Sequence, residues 1–371
     1  MPKTLLNPPS PKGLRASQAS QILPKLFVLL PCYNEEEVLP KTYEVLSKKL
    51  GALMERGSIA ADSRMVFVDD GSKDRTWAVL KSLVAHAESS ANDLDSRAGD
   101  KLESSPSSLL PPPPLNAAYK PKITALRLSS NKGHQNALLC TMEYAKDKCD
   151  CAISIDCDLQ DDIEAIDDFI AHFTQGAEVV YGVRQSRQKD SFFKRNTALF
   201  FYKLMHIMGV NIIYNHADYR LLSNRALGAL LEFKEVNLFL RGMVPLIGFE
   251  SAQVYYDRNE REAGVSKYPL RKMLSFAWNG ITSFSVMPLR MVSVLGLVFF
   301  ALSIALALFA LYVKLFTDDA VYGWASMLIP LSFFSGVQLL SLGVIGEYIG
   351  KIYIESKHRP RFFIAEEIGE G

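Results

Sequence analysis

The sequence predicts an α/β fold: a doubly wound, mainly parallel sheet, joined to amphipathic interface helices and a two-helix transmembrane hairpin. The prediction rests on three features. Short β-branched apolar runs recur ahead of helix-like stretches, unusual polar residues follow each run, and residues 290–350 are far more apolar than residues 1–285. With 371 residues the chain exceeds one typical domain, since about two hundred residues suffice for an α/β core.

The first run, Leu26–Leu30, leads into Pro31-Cys32-Tyr33-Asn34-Glu35-Glu36-Glu37. Met65–Val68 leads into Asp69-Asp70-Gly71-Ser72, and Ile123–Leu128 into Asn131-Lys132-Gly133-His134. Ala152–Ile155 leads into Asp156-Cys157-Asp158-Leu159-Gln160. Buried parallel strands read as such runs. Strands alternating with helices give a parallel sheet, which binds ligands at the carboxyl ends of its strands. All four polar groups fall there, so a catalytic domain is expected over residues 22–255. Residues 1–21 lack the apolar run of a secretory signal and read as a disordered tail. Residues 86–120, rich in Ser, Asp and Ala and holding Pro111–Pro114, read as a disordered surface insertion that serves as a spacer.

Ser191–Met208 has helical period. Arg195, Asn196, Lys203 and His206 share one arc, and Phe193, Phe200, Phe201, Leu204, Ile207 and Met208 the other. A second such stretch runs from Ser266 to about Ser285, within a juxtamembrane region at 256–289, and Pro269 suits its first turn. Each fits either a helix lying on a bilayer or a surface helix packed on the domain. Met291–Phe316 and Trp324–Gly350 each exceed the roughly 20 residues a span needs. Arg290 precedes the first, and Lys351, Lys357, Arg359 and Arg361 follow the second. Both flanks are therefore expected on the cytoplasmic side of the inner membrane, with residues 351–371 as a cytoplasmic tail. A buried helical hairpin is the alternative. Ser293, Gly296, Gly336 and Gly343 suit packing within the hairpin or between copies in a homo-oligomer.

Net charge is +1, which gives no reason to expect a nucleic-acid partner. The five cysteines are odd in number and form no CxxC pair, which disfavours a disulfide framework or zinc site and predicts free thiols.

Asp156 and Asp158 bracket one residue at a strand end, and alternation along an extended chain points both to one side. Two carboxylates so placed repel unless a cation lies between them, and oxygen ligands suit Mg²⁺ or Mn²⁺. Gln160 would join them if the chain stays extended. Asp161 and Asp162 are expected to cap the following helix while Asp156 and Asp158 bind; the alternative is that the acids here, Glu164 included, simply cap. At Asp69-Asp70 a carboxylate can accept from a base or ribose, while Ser72 or Asp74 caps the next helix. No GxGxxG or GxxxxGK[ST] is present, which removes support for dinucleotide-oxidoreductase and P-loop readings.

Together the four strand-end motifs resemble family 2 glycosyltransferases with a GT-A fold. Tyr181-Gly182-Val183-Arg184, Ala217-Asp218-Tyr219-Arg220-Leu221-Leu222, Arg258-x-x-Arg261-x-x-Gly264-x-Ser266-Lys267-Tyr268 and Gly346-Glu347-Tyr348-Ile349-Gly350-Lys351 are similar to the polyprenyl-phosphate subgroup. That subgroup includes bactoprenol glucosyltransferases and dolichyl-phosphate mannose synthases. The resemblance spans roughly residues 25–360 without the insertion. It implies that Pro31, Tyr33, Glu35 and Asp70 hold the nucleoside, with Lys132 among the ligand-binding residues. Asp156, Asp158 and Gln160 would hold metal and donor diphosphate. Arg184, Arg195, Arg261 and Lys267 would meet the lipid phosphate. Two departures stand out: the long 86–120 insertion, and Cys157 where a small residue is usual.

The expected reaction is inverting transfer from a nucleotide-sugar to polyprenyl phosphate, with UDP-glucose or UDP-N-acetylglucosamine ranked above GDP-mannose by resemblance. A phosphomonoester is largely ionised above about pH 6, so a general base is not strictly required. Asp218 is a candidate base or an orienting partner for Arg220; a buried ion pair is the alternative. Two rivals are a processive polysaccharide synthase, whose QxxRW motif is missing here, and a non-catalytic membrane scaffold that binds nucleotide-sugar or lipid.

Overall fold

The computed structural model describes residues 23–96, 121–185, 216–236, 238–258, 282, 285–316 and 324–369. The four apolar runs become β1 (Leu26–Cys32), β2 (Arg64–Asp69), β3 (Lys122–Leu128) and β4 (Cys151–Ser154). β1 pairs in parallel with both β2 and β4, and β2 with β3. Further along come β5 (Val179–Arg184), β6 (His216–Ser223), β7 (Ser251–Tyr256) and β8 (Ile364–Ile368). The full order is β7-β5-β6-β4-β1-β2-β3-β8. β6 runs antiparallel to β4 and β5, and β8 antiparallel to β3, so the sheet is mixed but mainly parallel.

The period-two alternation of β1 shows why its run is continuously apolar. Leu26, Val28, Leu30 and Cys32 enter one core, and Phe27 and Leu29 enter the other. The first core is covered by α1 (Leu39–Glu55), α2 (Thr76–Ser96) and α4 (Ala165–Thr174), through Leu46, Leu50, Leu80, Ile166 and Phe169. The second is covered by α3 (His134–Ala145) and α5 (Asn224–Leu231), through Leu138, Met142, Leu227 and Leu230. Each such fully buried side chain contributes about 1.5–3 kcal/mol of transfer free energy. A short helical turn, α6 (Leu240–Met243), follows α5 and closes over the second core.

Two elements differ from expectation. α2 runs to Ser96, so the first part of the 86–120 segment is helical; its Ala- and Leu-containing sequence permits this, and the rest lies outside the described residues. Residues 351–371 are not a simple tail, because the chain continues in helix to Ser356 and then returns as β8. β8 covers the otherwise open edge of β3, a pairing that satisfies backbone groups without needing an apolar sequence. Trp77 Nε1–H donates to Glu366 (2.9 Å) and fixes the strand against α2.

The two apolar segments are α7 (Met287–Phe316) and α8 (Trp324–Ser356). Their apolar stretches have mean hydropathy 2.0 and 1.3, and only 6% and 0% of them is buried. A core hairpin would be covered, so the buried-hairpin alternative fails. The two helices meet where the Phe299 ring packs edge-on against Phe333 and Phe334. Tyr348 donates to the Ser285 carbonyl (2.6 Å) and Lys351 to Thr282, tying α8 to the segment before α7. The chain leaves the sheet after Tyr256 and rejoins it at Ile364, so any membrane crossing by this hairpin is even in number. The tail 1–21, the interface helix over 191–208, nearly all of that over 266–285, and the connecting loop 317–323 lie outside the described residues.

Gly71 shows how tightly the strand-end loops are held. Its φ is +65°, and a Cβ there would stand 2.7 Å from Asn131 N and 2.8 Å from Ser130 C. Both the conformation and the space exclude a side chain. Gly71→Ala is expected to lower unfolding free energy by about 2–3 kcal/mol in chemical denaturation; an unchanged midpoint would show that the loop contact is dispensable.

Candidate active site

The loops after β1 and β2 are bonded to each other. Asn34 takes a left-handed conformation (φ 54°); its N–H donates to Ser72 Oγ, and its side-chain oxygen accepts from Lys73 N–H, both at 2.9 Å. Glu35 N–H donates to Thr76 Oγ1, and Glu36 accepts from Arg75 N–H. Asp74 caps α2 by accepting from Thr76 N–H (3.0 Å), while Ser72 serves the β1 loop instead. Tyr33 stands exposed at the rim, and Pro31 is buried beneath it.

The doubled acid ties this pair to the third loop. Asp70 accepts from the backbone N–H groups of Lys132 (2.6 Å) and Gly133 (2.8 Å), one on each carboxylate oxygen. It therefore shapes the Asn131-Lys132-Gly133 turn and is buried, rather than standing open toward a nucleoside. Asp69 accepts from Ser72 N–H, and its second oxygen, fully buried, lies 3.6 Å from Arg127.

At the end of β4 the chain turns. Cys157 points into the core beneath the turn: its Sγ lies 2.9 Å from Cys32 Sγ, and its carbonyl accepts from Thr42 (2.6 Å). A cysteine fits where small residues are usual because the space below it is apolar and bounded by another cysteine. All five cysteines are free and buried, and burial pushes the Cys140 and Cys149 thiols up to about 12. Leu159 is left-handed (φ 54°), so the chain is not extended past Asp158. The premise that would line Gln160 up with the two carboxylates therefore fails, and Gln160 is buried, with its N–H donating to Asp158 (3.2 Å).

Asp161 also differs from its expected capping role. It is buried and accepts from the Tyr256 hydroxyl (2.7 Å) and from Arg184 (3.4 Å). Only Asp162 bonds at the start of α4, to Glu164 N–H (2.9 Å). Glu164 occupies the cap position without a side-chain cap bond and pairs with Lys49 instead. Arg184, expected at the lipid phosphate, is thus braced from β5 by β7 and the β4 loop.

Asp218 lies between two guanidiniums. Arg220 and Arg241 both donate to it, Arg241 through Nε (3.2 Å) and Nη2 (2.9 Å). Burial works to raise its pKa, but Arg241 and Arg220 outweigh burial and hold the carboxyl well below the usual carboxylate range. So paired, it is a poor proton acceptor, and the geometry fits the ion-pair and orienting role rather than a general base.

Sequence reasoning passed over two residues that the fold brings here. His134 opens α3, and its Nε2 lies 3.6 Å from Asp156 and 3.8 Å from Asp218. It closes the third polar motif, which was the available signal. Arg241 arrives from α6, and nothing in its local sequence marks it. Arg195, Arg261 and Lys267 lie outside the described residues.

Residues 27–94 and 114–231 match the profile described as "Glycosyl transferase family 2". A Bacillus subtilis (strain 168) protein named "Uncharacterized glycosyltransferase YkoT" is 48% identical over 93% of this chain and 92% of its own. The chain belongs to glycosyl transferase family 2. A second relative of this family 2 chain, the "Bactoprenol glucosyl transferase" of Shigella phage SfV, is 34% identical over 92% of this chain and 99% of its own. A solved mannosyltransferase from Pyrobaculum calidifontis aligns over 93% of this chain and 89% of its own, at 12% identity and a TM-score of 0.40, too loose a likeness to bear on function.

The residues present in this family 2 chain fit a divalent cation. Asp156 is pushed up to about 6, chiefly by burial; His134 pulls it down, while Asp161, Asp218 and Asp158 push it further up. A carboxylate so crowded favours a proton or a metal. Asp156 and Asp158 are the two carboxylates that would hold such an ion, and among the described residues no group of three His, Cys, Asp or Glu side chains encloses one. A carboxylate with raised pKa opposes folding once ionised, so its cost grows as pH rises from about 4 to 6. Asp156→Asn is therefore expected to raise stability at pH 7 by about 1–2 kcal/mol, discounted for solvent on its accessible side, with no gain at pH 4. A thermal melt at both pH values checks this; a lower melting temperature at pH 7 would contradict it.

Proposed function

We propose that this chain transfers a hexose or N-acetylhexosamine from a nucleotide-sugar to a polyprenyl phosphate, undecaprenyl phosphate in bacteria, at the cytoplasmic face of the inner membrane. UDP-glucose and UDP-N-acetylglucosamine are the favoured donors. One observation carries the reading: a carboxylate-bearing strand end and an exposed apolar hairpin are built into one chain, the hairpin leaving and rejoining the sheet that bears the site. Donor chemistry and lipid access are thereby coupled. The relatives named bactoprenol glucosyl transferase support the acceptor class.

The residues divide the work. Tyr33 at the rim and the β1 loop receive the nucleoside, while Asp70 keeps the neighbouring turn in place. Asp156 and Asp158 would hold Mg²⁺ or Mn²⁺, which when bound supplies positive charge to the departing nucleoside diphosphate. His134 faces Asp156 and Asp218 from the first turn of α3 and can donate to a phosphate oxygen. Arg184 presents a guanidinium, already oriented by Asp161 and Tyr256, suited to paired hydrogen bonds with the acceptor phosphate. A phosphate oxygen attacks C1 of the sugar, the C1–O bond to the diphosphate breaks, and the anomeric configuration inverts. The acceptor is ionised at neutral pH, so no base is needed.

The test is a transfer assay with the purified full chain, undecaprenyl phosphate, Mg²⁺ or Mn²⁺, and a panel of radiolabelled nucleotide-sugars, followed by lipid extraction. Label is expected in the lipid from one donor, and Asp158→Ala is expected to reduce it by at least about a hundredfold with an unchanged melt. Undiminished transfer in chelator would sink the metal role. No label from any donor, with folded protein, would favour a binding scaffold.

A further inference from the structure

A cavity of about 310 Å³ opens beside the end of α8, away from the strand-end site. Its lining includes Glu143 near the end of α3, Lys234 after α5, and Arg359, Arg361 and Phe362 from the loop between α8 and β8. Glu143 lies nine residues along α3 from His134, about 14 Å by helix rise, so the cavity is a separate place. Its volume is in the range of small-ligand sites, about 300–1,000 Å³.

The lining of this cavity is mainly basic, although Glu235 as well as Glu143 lies within the field of Arg361. Three permanent cations face one carboxylate, Glu143, with His358 alongside. Of the nearby acids, Glu355 is engaged by Val236 N–H (2.7 Å), and Glu235 sits beside it. Arg361 spends one donor on the Phe233 carbonyl (2.7 Å) and Lys234 one on the Leu231 carbonyl (3.2 Å). These bonds fix both cations in place and leave further N–H groups for a ligand. Arg359 is exposed and makes no hydrogen bond or ion pair among the described residues.

Position decides the ligand class. The loop follows Ser356 directly, and the last turns of α8 expose Ile352, Tyr353 and Ile354, with Phe363 exposed just beyond. Where an apolar helix ends in water, a basic recess meets lipid headgroups. We infer that this cavity binds the phosphodiester headgroup of an anionic phospholipid, held by Lys234, Arg359 and Arg361. The bound lipid seats the catalytic domain on the leaflet, because β8, which continues from the same loop, is bonded into the catalytic sheet. The inference rests on the reading of α8 as a membrane span.

The test compares the full chain in detergent with the K234Q/R359Q double variant, neither residue belonging to the active site. Affinity for phosphatidylglycerol and phosphatidylcholine is measured, with retained lipid counted by native mass spectrometry, and inorganic phosphate serves as a separate arm. Wild type is expected to prefer phosphatidylglycerol, and the variant to lose at least about tenfold of that affinity with unchanged melting and unchanged transfer in detergent. Equal phosphatidylglycerol affinity in both proteins, or no preference over phosphatidylcholine, would overturn the site. Inorganic phosphate binding as tightly as the lipid would overturn the lipid assignment. A chain that stays soluble without detergent would overturn the membrane reading, and this inference with it.

Discussion

Four carboxylates, those of Asp156, Asp158, Asp161 and Asp218, gather at the carboxyl end of β4, and the elements around the site are arranged to make that tolerable. Like charges in a partly desolvated space oppose folding unless each is compensated. β6 and α6 supply Arg220 and Arg241 to Asp218. β5 and β7 supply Arg184 and the Tyr256 hydroxyl to Asp161. Asp156 faces a histidine, a weaker compensation, and burial together with the neighbouring carboxylates pushes its pKa up. Under the proposed function, a cation brought with the donor would offset this crowding.

The same logic explains the antiparallel strand beside β4. Parallel strands alone would place loops at the β4 end but no guanidiniums behind it. By running antiparallel beside β4, β6 carries Asp218 and Arg220 back past the site, and Ser154 secures the crossing by donating to the Asp218 carbonyl (2.5 Å). On the other flank Asp70 clamps the third loop, which sets His134 at the first turn of α3. Donor-facing loops and charged residues are thus fixed by separate backbone devices, and the apolar hairpin is joined to the same sheet through β8, which pairs with β3.

Much of this was legible in the sequence, for reasons that vary by residue. The runs of β1 to β4 are buried on both faces, so composition alone revealed them, and their polar ends followed. The two long apolar helices were legible from length and apolarity. β8 was not, because Ile-Ala-Glu-Glu-Ile carries no strand pattern and exists through pairing with β3. Asp161 looked like a cap because local sequence favours one; its buried partners lie 23 and 95 residues away. The extended chain that would align Gln160 with the two carboxylates is interrupted by one left-handed residue, Leu159. Arg241 was invisible because only the fold of α6 over the second core brings it to Asp218. Local propensity reads backbone needs well, whereas charge compensation is a tertiary property.

The central claim is that the crowding of carboxylates around Asp156 is relieved when the donor binds with a cation. The most direct measurement is a calorimetric titration of UDP into the purified chain at pH 7, with Mn²⁺ or Mg²⁺ and again in chelator. The account predicts binding with the cation and little or none without it. Equal affinity in both conditions would contradict it, since the carboxylates would then repel the diphosphate without consequence.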